Sequence, residues 1–216
     1  MRSREASLVS AALGENLQDL LPIVSDDMSD SGNFDAVAEL LVHAGDRQIH
    51  EAMLMMVPEA WQNKAMAADR RAFYEYHSCL MEPWDGPAMM SFTDGQILGG
   101  CLDRNGLRPS RYYVTHDGRV MLSSEVGVPP NPNPNPNPNP NPNPNPNQVG
   151  VLDDLADSAV ATKGRLEPGR MFLIDFDQGR IIPDEELKTM MAAARPYAQW
   201  MAEQPLKLAD WVAHQP

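Results

Sequence analysis

The stretch CLDRNGLRPSRYY, Cys101 to Tyr113, decides how the second half of this chain folds. Its polar residues begin where one apolar β-run ends and continue into the start of another. Asn105-Gly106 supplies a tight turn, Pro109 fixes a backbone angle, and Arg108 offers a planar donor fork. One reading is a structural corner in which Asp103 pairs with an arginine. The other is an active-site segment. Spacing alone leaves both open, because no Ser-His-Asp or Cys-His arrangement can be assembled around it.

Short segments rich in β-formers stand on both sides: AMMSFT, QILGGCL, RYYVT, RVMLS, MFLIDF and RII. The turns Thr93-Asp94-Gly95-Gln96, His116-Asp117-Gly118-Arg119 and Asp177-Gln178-Gly179-Arg180 repeat the Asp-Gly chemistry of hairpins, whose central positions accept positive φ. Antiparallel sheet is expected. The first half has helical periodicity instead. NFDAVAELLVHAG spaces Phe34, Val37, Leu40 and Leu41 at helical intervals, with Gly45 as its stop. Asp46 is expected to cap a second helix through IHEAMLMMV, which Pro58 ends. A third runs from Asp69 to Met81 with Phe73, Tyr76, His77 and Leu80 on one face. The segment from Asp184 to Trp211 turns helical again, broken at Pro196 and Pro205. Helices followed by a meander give an α+β fold.

The chain has 216 residues, 43% of them hydrophobic, enough for one domain with a core. A net charge of -13 argues against nucleic acid or an anionic membrane as partner, since both require clustered Lys and Arg. Two cysteines, Cys79 and Cys101, fit a reducing compartment and exclude a disulfide scaffold. The start lacks the apolar core of a signal peptide, and no apolar run approaches the roughly 20 residues of a spanning helix. A soluble cytoplasmic chain is expected.

Half of the 20 prolines lie in PPNPNPNPNPNPNPNPNPNQ, residues 129–148. Proline lacks an amide donor and pushes the preceding asparagine out of the α region. The tract is therefore expected to be a stiff polyproline-II-like spacer. Val-Gly-Val stands on both sides, at Val126 to Val128 and Val149 to Val151, which points to an insert in an existing loop. The chain divides accordingly into 1–128, the insert at 129–148, and 149–216.

Other candidate sites fail on spacing. DDMSDSGNFD has Gly32 in register for a calcium loop counted from Asp27, but Ala38 occupies the closing position. Ser29, Asp30 or Ser31 instead suits a helix cap. His50-Glu51 begins like a zincin helix, yet Leu54 stands where the second histidine belongs. No metal site is expected. His43 and His77 are expected partly buried with a hydrogen bond. Cys79 points away from His77, Cys101 is packed rather than reactive, and the methionines of Ala52–Met56 fill the core.

Longer segments carry a resemblance. MEPWDGPAMMSFTDG, CLDRNGLRPSRYYVTHDGRVMLSSEVGV and GRLEPGRMFLIDFDQGRIIPDEELK resemble the large subunit of glutamate synthase. SDSGNFDAVAELLVHAG, PEAWQNK and DRRAFYEYHSCLMEPWDG do so in the same order. The region resembled is the later part of the class II glutamine amidotransferase (glutaminase) domain.

The resemblance implies a partial four-layer αββα sandwich of the N-terminal-nucleophile type. It implies glutamine hydrolysis, with the ammonia passed on to make glutamate from 2-oxoglutarate. It makes Asp30 the partner of glutamine's α-amino group, with Ser29 and Ser31 beside it. It makes Asp103, Arg104, Asn105, Gly106 and Arg108 active-site scaffolding. The family's N-terminal catalytic cysteine and oxyanion Asn-Gly segment are expected to precede Met1, so no catalytic residue is assigned and the chain is expected to be inactive alone. FMN and an iron-sulfur cluster are expected only in other regions of the parent protein. Those regions, or its small subunit, are the expected protein partners. The rival readings are a non-catalytic module that binds glutamine or a partner, and an Asn-Pro-bearing interaction protein.

Overall fold

The computed structural model describes residues 2–11, 13–62, 65–124 and 157–203. The Asn-Pro tract, its Val-Gly-Val flanks and everything from 204 onward lie outside the described residues. After two 3-10 turns, Arg2–Ser7 and Gly14–Leu20, come three α-helices: α1 (Asp30–His43), α2 (Ile49–Met56) and α3 (Ala68–Leu80). Four strands follow, β1 (Met89–Thr93), β2 (Ile97–Leu102), β3 (Arg111–Thr115) and β4 (Val120–Ser123). Beyond the tract come β5 (Val160–Arg165), β6 (Met171–Asp175), β7 (Arg180–Ile182), α4 (Asp184–Ala193) and α5 (Tyr197–Glu203).

The strands form two antiparallel sheets, ordered β1-β2-β6-β7 and β4-β3-β5. Strand alternation sets the layers. In β6, Met171 and Leu173 face the helices, while Phe172 and Ile174 face the second sheet. Cys101 and Leu102 divide the same way on β2. The second sheet answers with Tyr112, Val120 and Leu122, and the rings of Tyr112 and Phe172 stand 4.5 Å apart. The described residues thus show three layers, helices, sheet and sheet, of the expected αββα arrangement. Strands from both sides of the tract are interleaved, β6 beside β2 and β5 beside β3, so the described residues before and after it share one core.

Two glycines in the middle of β2 look unfavourable for a strand, yet contact explains them. A Cβ on Gly99 would lie 2.2 Å from the Phe92 ring, and one on Gly100 would lie 2.5 Å from Leu122 of the other sheet. The chain passes between the sheets twice at one end. Asp103–Ser110 links β2 to β3, and Leu166–Arg170 links β5 back to β6. The links touch: Leu166 N donates to Ser110 O at 3.0 Å, and Gly106 packs against Pro168 so closely that a Cβ would sit 2.2 Å from its ring.

Several local expectations are corrected. Asp46 caps nothing: it has φ 51°, and Gln48 is the residue before α2. Gly45 does not supply the left-handed turn after α1. It is needed because a Cβ there would meet Leu41 O at 2.5 Å. On α3, Leu80 is exposed and Tyr74 is buried in its place, because the helix also packs against α4 and α5. In the three Asp-Gly and Gln-Gly turns only the glycine has positive φ. Strand β5 was not foreseen. Its VATKGR is polar and mostly exposed, as suits a sheet edge. The methionines of α2 are buried, as expected.

Ionised groups tie the helical layer together. Arg47 Nη1 contacts Glu51 Oε1 at 2.5 Å and donates to His77 Nε2 at 3.1 Å, while Tyr197 Oη donates to Glu51 at 3.1 Å. His77 Nδ1 donates to Phe73 O at 2.8 Å, so Nε2 is the acceptor and the ring is neutral. Burial, then the charges of Arg47 and Arg195, push His77 down to about 4. A second network joins Glu59 to Arg70 at 2.5 Å and Lys188 to Asp184 at 2.9 Å; Lys188 also donates to Gly169 O, and Met171 N to Asp184.

Two outcomes are expected. Gly100→Val should drive the sheets apart and cost about 1–3 kcal/mol, read as a lower urea midpoint at unchanged m-value. For His77 the folded pKa lies below the unfolded value of 6.5, so the unfolded chain binds the extra proton. Its contribution is present above pH 6.5 and is lost as pH falls toward 4, a change on the order of 3 kcal/mol. His77→Gln should remove that component of the difference between denaturation curves at pH 7 and pH 4.5. A pH dependence identical to wild type would refute the neutral ring.

Candidate functional site

Helix α1 begins where Ser29, in extended conformation, turns its hydroxyl to accept from Gly32 N at 3.1 Å. Ser29 Oγ also meets Ser31 Oγ at 3.2 Å. The cap lifts Asp30 into the first turn as an exposed carboxylate. Asn33, one turn on, is committed to the preceding loop: it accepts from Ser25 N at 2.9 Å and donates to Ser25 O at 3.0 Å. The serine-cap reading and the surface carboxylate therefore coexist in three residues.

Asp30 lies on the rim of a groove of ≈ 440 Å³. Phe34, Val37, Met56 and Met81 give it an apolar floor, and the loop Glu82–Asp85 forms the opposite wall. Such a groove suits an amphipathic ligand with a cationic group toward Asp30 and a short apolar stem on the floor.

The LDRNG corner stands beside that loop. Asp103 is buried, and among the described residues no side-chain cation pairs with it. Its Oδ1 accepts from Ala88 N at 3.1 Å and its Oδ2 from Asn105 N at 2.9 Å. Its own N donates to Ala88 O at 3.1 Å. The expected pairing of Asp103 with an arginine is thus replaced by backbone donors, which satisfy a carboxylate in place. Arg104 pairs with Asp85 at 3.3 Å, both exposed, and so reaches the groove's rim. Asn105, Gly106 and the exposed Arg108 do not line the groove. The structure brings Asp30 and Arg104 to one neighbourhood through Asp85. It leaves Arg108 apart.

The two cysteines differ in exposure. Cys101 is buried, and burial pushes its thiol up to about 12. Cys79 is exposed near the end of α3, its thiol donating to Glu75 O at 3.4 Å. His50 is buried, and burial holds its pKa below the ordinary histidine value. Among the described residues no three His, Cys, Asp or Glu side chains converge as a metal set, and no helix is long and apolar enough to cross a membrane. The residue that sequence reasoning did not single out is Trp84. Only its place in MEPWDGP, away from any helical or strand period, could have marked it.

Residues 1–135 and 146–200 match the family of class-II glutamine amidotransferases. The chain is 48% identical over 205 residues to the large chain of the NADPH glutamate synthase of Bacillus subtilis, covering 94% of this chain and 12% of that protein. It is 41% identical over 210 residues to the NADH glutamate synthase of Saccharomyces cerevisiae, covering 97% of this chain and 9% of that protein. The ferredoxin-dependent glutamate synthase 2 of Arabidopsis thaliana is 39% identical over 207 residues, 94% of this chain and 11% of that protein. The chain spans about a tenth of the length of these relatives. With helices on a pair of antiparallel sheets and a match across most of its length, the chain belongs to the class-II glutamine amidotransferases.

Proposed function

We propose that this chain is the glutamine-recognising part of a glutaminase module of the glutamate synthase kind. The observation that carries the reading is Asp30, an exposed carboxylate on the rim of an apolar-floored groove. Its carboxylate takes the α-ammonium of glutamine, and Ser29 and Ser31 hold it at the start of α1. The side chain of glutamine lies along Phe34, Val37 and Met56.

In the module as a whole the side-chain amide is hydrolysed, and the ammonia is used with 2-oxoglutarate to make glutamate. The corner residues Asp103, Arg104, Asn105, Gly106 and Arg108 act as scaffold. The support is the set of backbone bonds through which Asp103 grips Ala88. Flavin and iron-sulfur chemistry belongs to other regions of such a synthase. An iron-sulfur cluster takes four thiolates, and this chain has two cysteines, one of them buried. The working partner is the remainder of a synthase, in keeping with relatives about ten times longer. With Cys101 buried and its thiol pushed up to about 12, the isolated chain binds glutamine without hydrolysing it.

Titration calorimetry of the full chain tests this. L-glutamine should bind, and Asp30→Asn should weaken it at least about ten-fold, as loss of a charge-assisted bond implies. Ammonia release should match buffer. Equal affinity in a folded Asp30→Asn variant would sink the assignment.

A further inference from the structure

Resting on that reading, we infer that Trp84 is the specificity-determining wall of the Asp30 groove, and that Asp103 positions it from the LDRNG corner. Trp84 stands across the groove from α1, on the same apolar floor. Its ring meets Phe34 edge-on, with centroids 5.4 Å apart and planes at 84°. Phe34 lies one helical turn beyond Asp30, so the two share one face of α1, and Trp84 lines the same groove. The indole N–H is occupied within its own loop, donating to Gly86 O at 2.9 Å. What Trp84 offers a ligand is therefore carbon surface, suited to methylenes and not to a polar group.

The wall is held from two sides. Trp84 N donates to Met56 O at 2.7 Å, fixing the loop to the end of α2. Four residues on, Ala88 is clamped by Asp103, which accepts from Ala88 N at 3.1 Å and donates its own N–H to Ala88 O at 3.1 Å. Between these anchors Gly86 takes φ 128°, a conformation rarely open to other residues, which bends the chain back toward the indole. Asp103 is 2% exposed and both of its oxygens are used, so it has one arrangement. The geometry gives the corner an action on the groove that needs no contact between Asp103 and ligand. Asp103 is a positioning residue, and Trp84 touches the stem.

The groove width between Trp84 and α1 then selects a stem of given length. A ligand whose ammonium is on Asp30 must lay its carbon chain past Trp84. Removing the ring leaves the ammonium contact intact but loses the stem contact. Binding should weaken, and glutamine should lose its advantage over the shorter asparagine.

The test uses the full chain with L-glutamine and L-asparagine in calorimetry, and the indole resonances in nitrogen-15 NMR. Trp84→Phe identifies the Trp84 signal by its disappearance. Glutamine should shift that signal. Trp84→Ala should weaken glutamine about ten-fold and narrow its preference over asparagine, while Trp84→Phe stays within about three-fold. Asp103→Asn should move the Trp84 indole signal before ligand is added and weaken glutamine in parallel, with a folded spectrum throughout. Glutamine binding that needs Asp30 but leaves the Trp84 signal unmoved overturns this inference and spares the assignment of Asp30. An Asp103→Asn chain with an unmoved indole signal overturns the positioning role. Absence of glutamine binding in the wild-type chain overturns both. If Trp84→Ala unfolds, the wild-type indole shift and the Trp84→Phe affinity decide.

Discussion

The double passage of the chain between its two sheets is the constraint on which this structure turns. Asp103–Ser110 carries the chain out of the first sheet, and Leu166–Arg170 brings it back. The two links meet at Gly106 and Pro168 and share the bond from Leu166 N to Ser110 O. This crossing sets the stagger that lets Tyr112 stack on Phe172 and Leu122 press on Gly100. A larger residue at either glycine would change the separation of the sheets and hence every contact between them, because packed interiors have no slack. The same crossing fixes Asp103, which grips Ala88 at the start of the strand leading away from the candidate groove.

The helical layer is held differently. Its apolar contacts are ordinary, but two ionic networks run through it, Arg47–Glu51–His77–Tyr197 and Glu59–Arg70–Lys188–Asp184. Buried ions contribute little net stability because desolvation offsets their attraction, yet a wrong packing would strand one of them at a cost of roughly 3–5 kcal/mol. Lys188 illustrates this: its ammonium links α4 to Gly169 in the return link, so helices and crossing must come to register together. The networks select one arrangement of helices on the sheet, and that arrangement places α1 opposite the Trp84 loop.

Much of this could be read from the residues. Among the described residues, six of seven strands and all five α-helices lie where period and turn chemistry put them, since alternation and glycine turns are local properties. β5 escaped because VATKGR is polar and mostly exposed, without the apolar run that marked the other strands. The α3 face was misjudged at Leu80 and Tyr74 because three helices, not one, compete for it. At the candidate site, Ser29 and Asp30 stood out through capping chemistry, while the burial of Asp103 depended on Ala88, fifteen positions earlier. Trp84 owes its place to Met56 and Phe34, neither of which lies near it in sequence. Nothing in a linear pattern reports such contacts.

Strands β4 and β5 both run antiparallel to β3, one on each side, and so run parallel to each other. The end of β4 and the start of β5 therefore lie at opposite ends of the second sheet. Extended chain advances about 3.3 Å per residue, so half a dozen residues or so would bridge strands of this length. The register of β3 with its two neighbours thus sets a least length for whatever chain joins them.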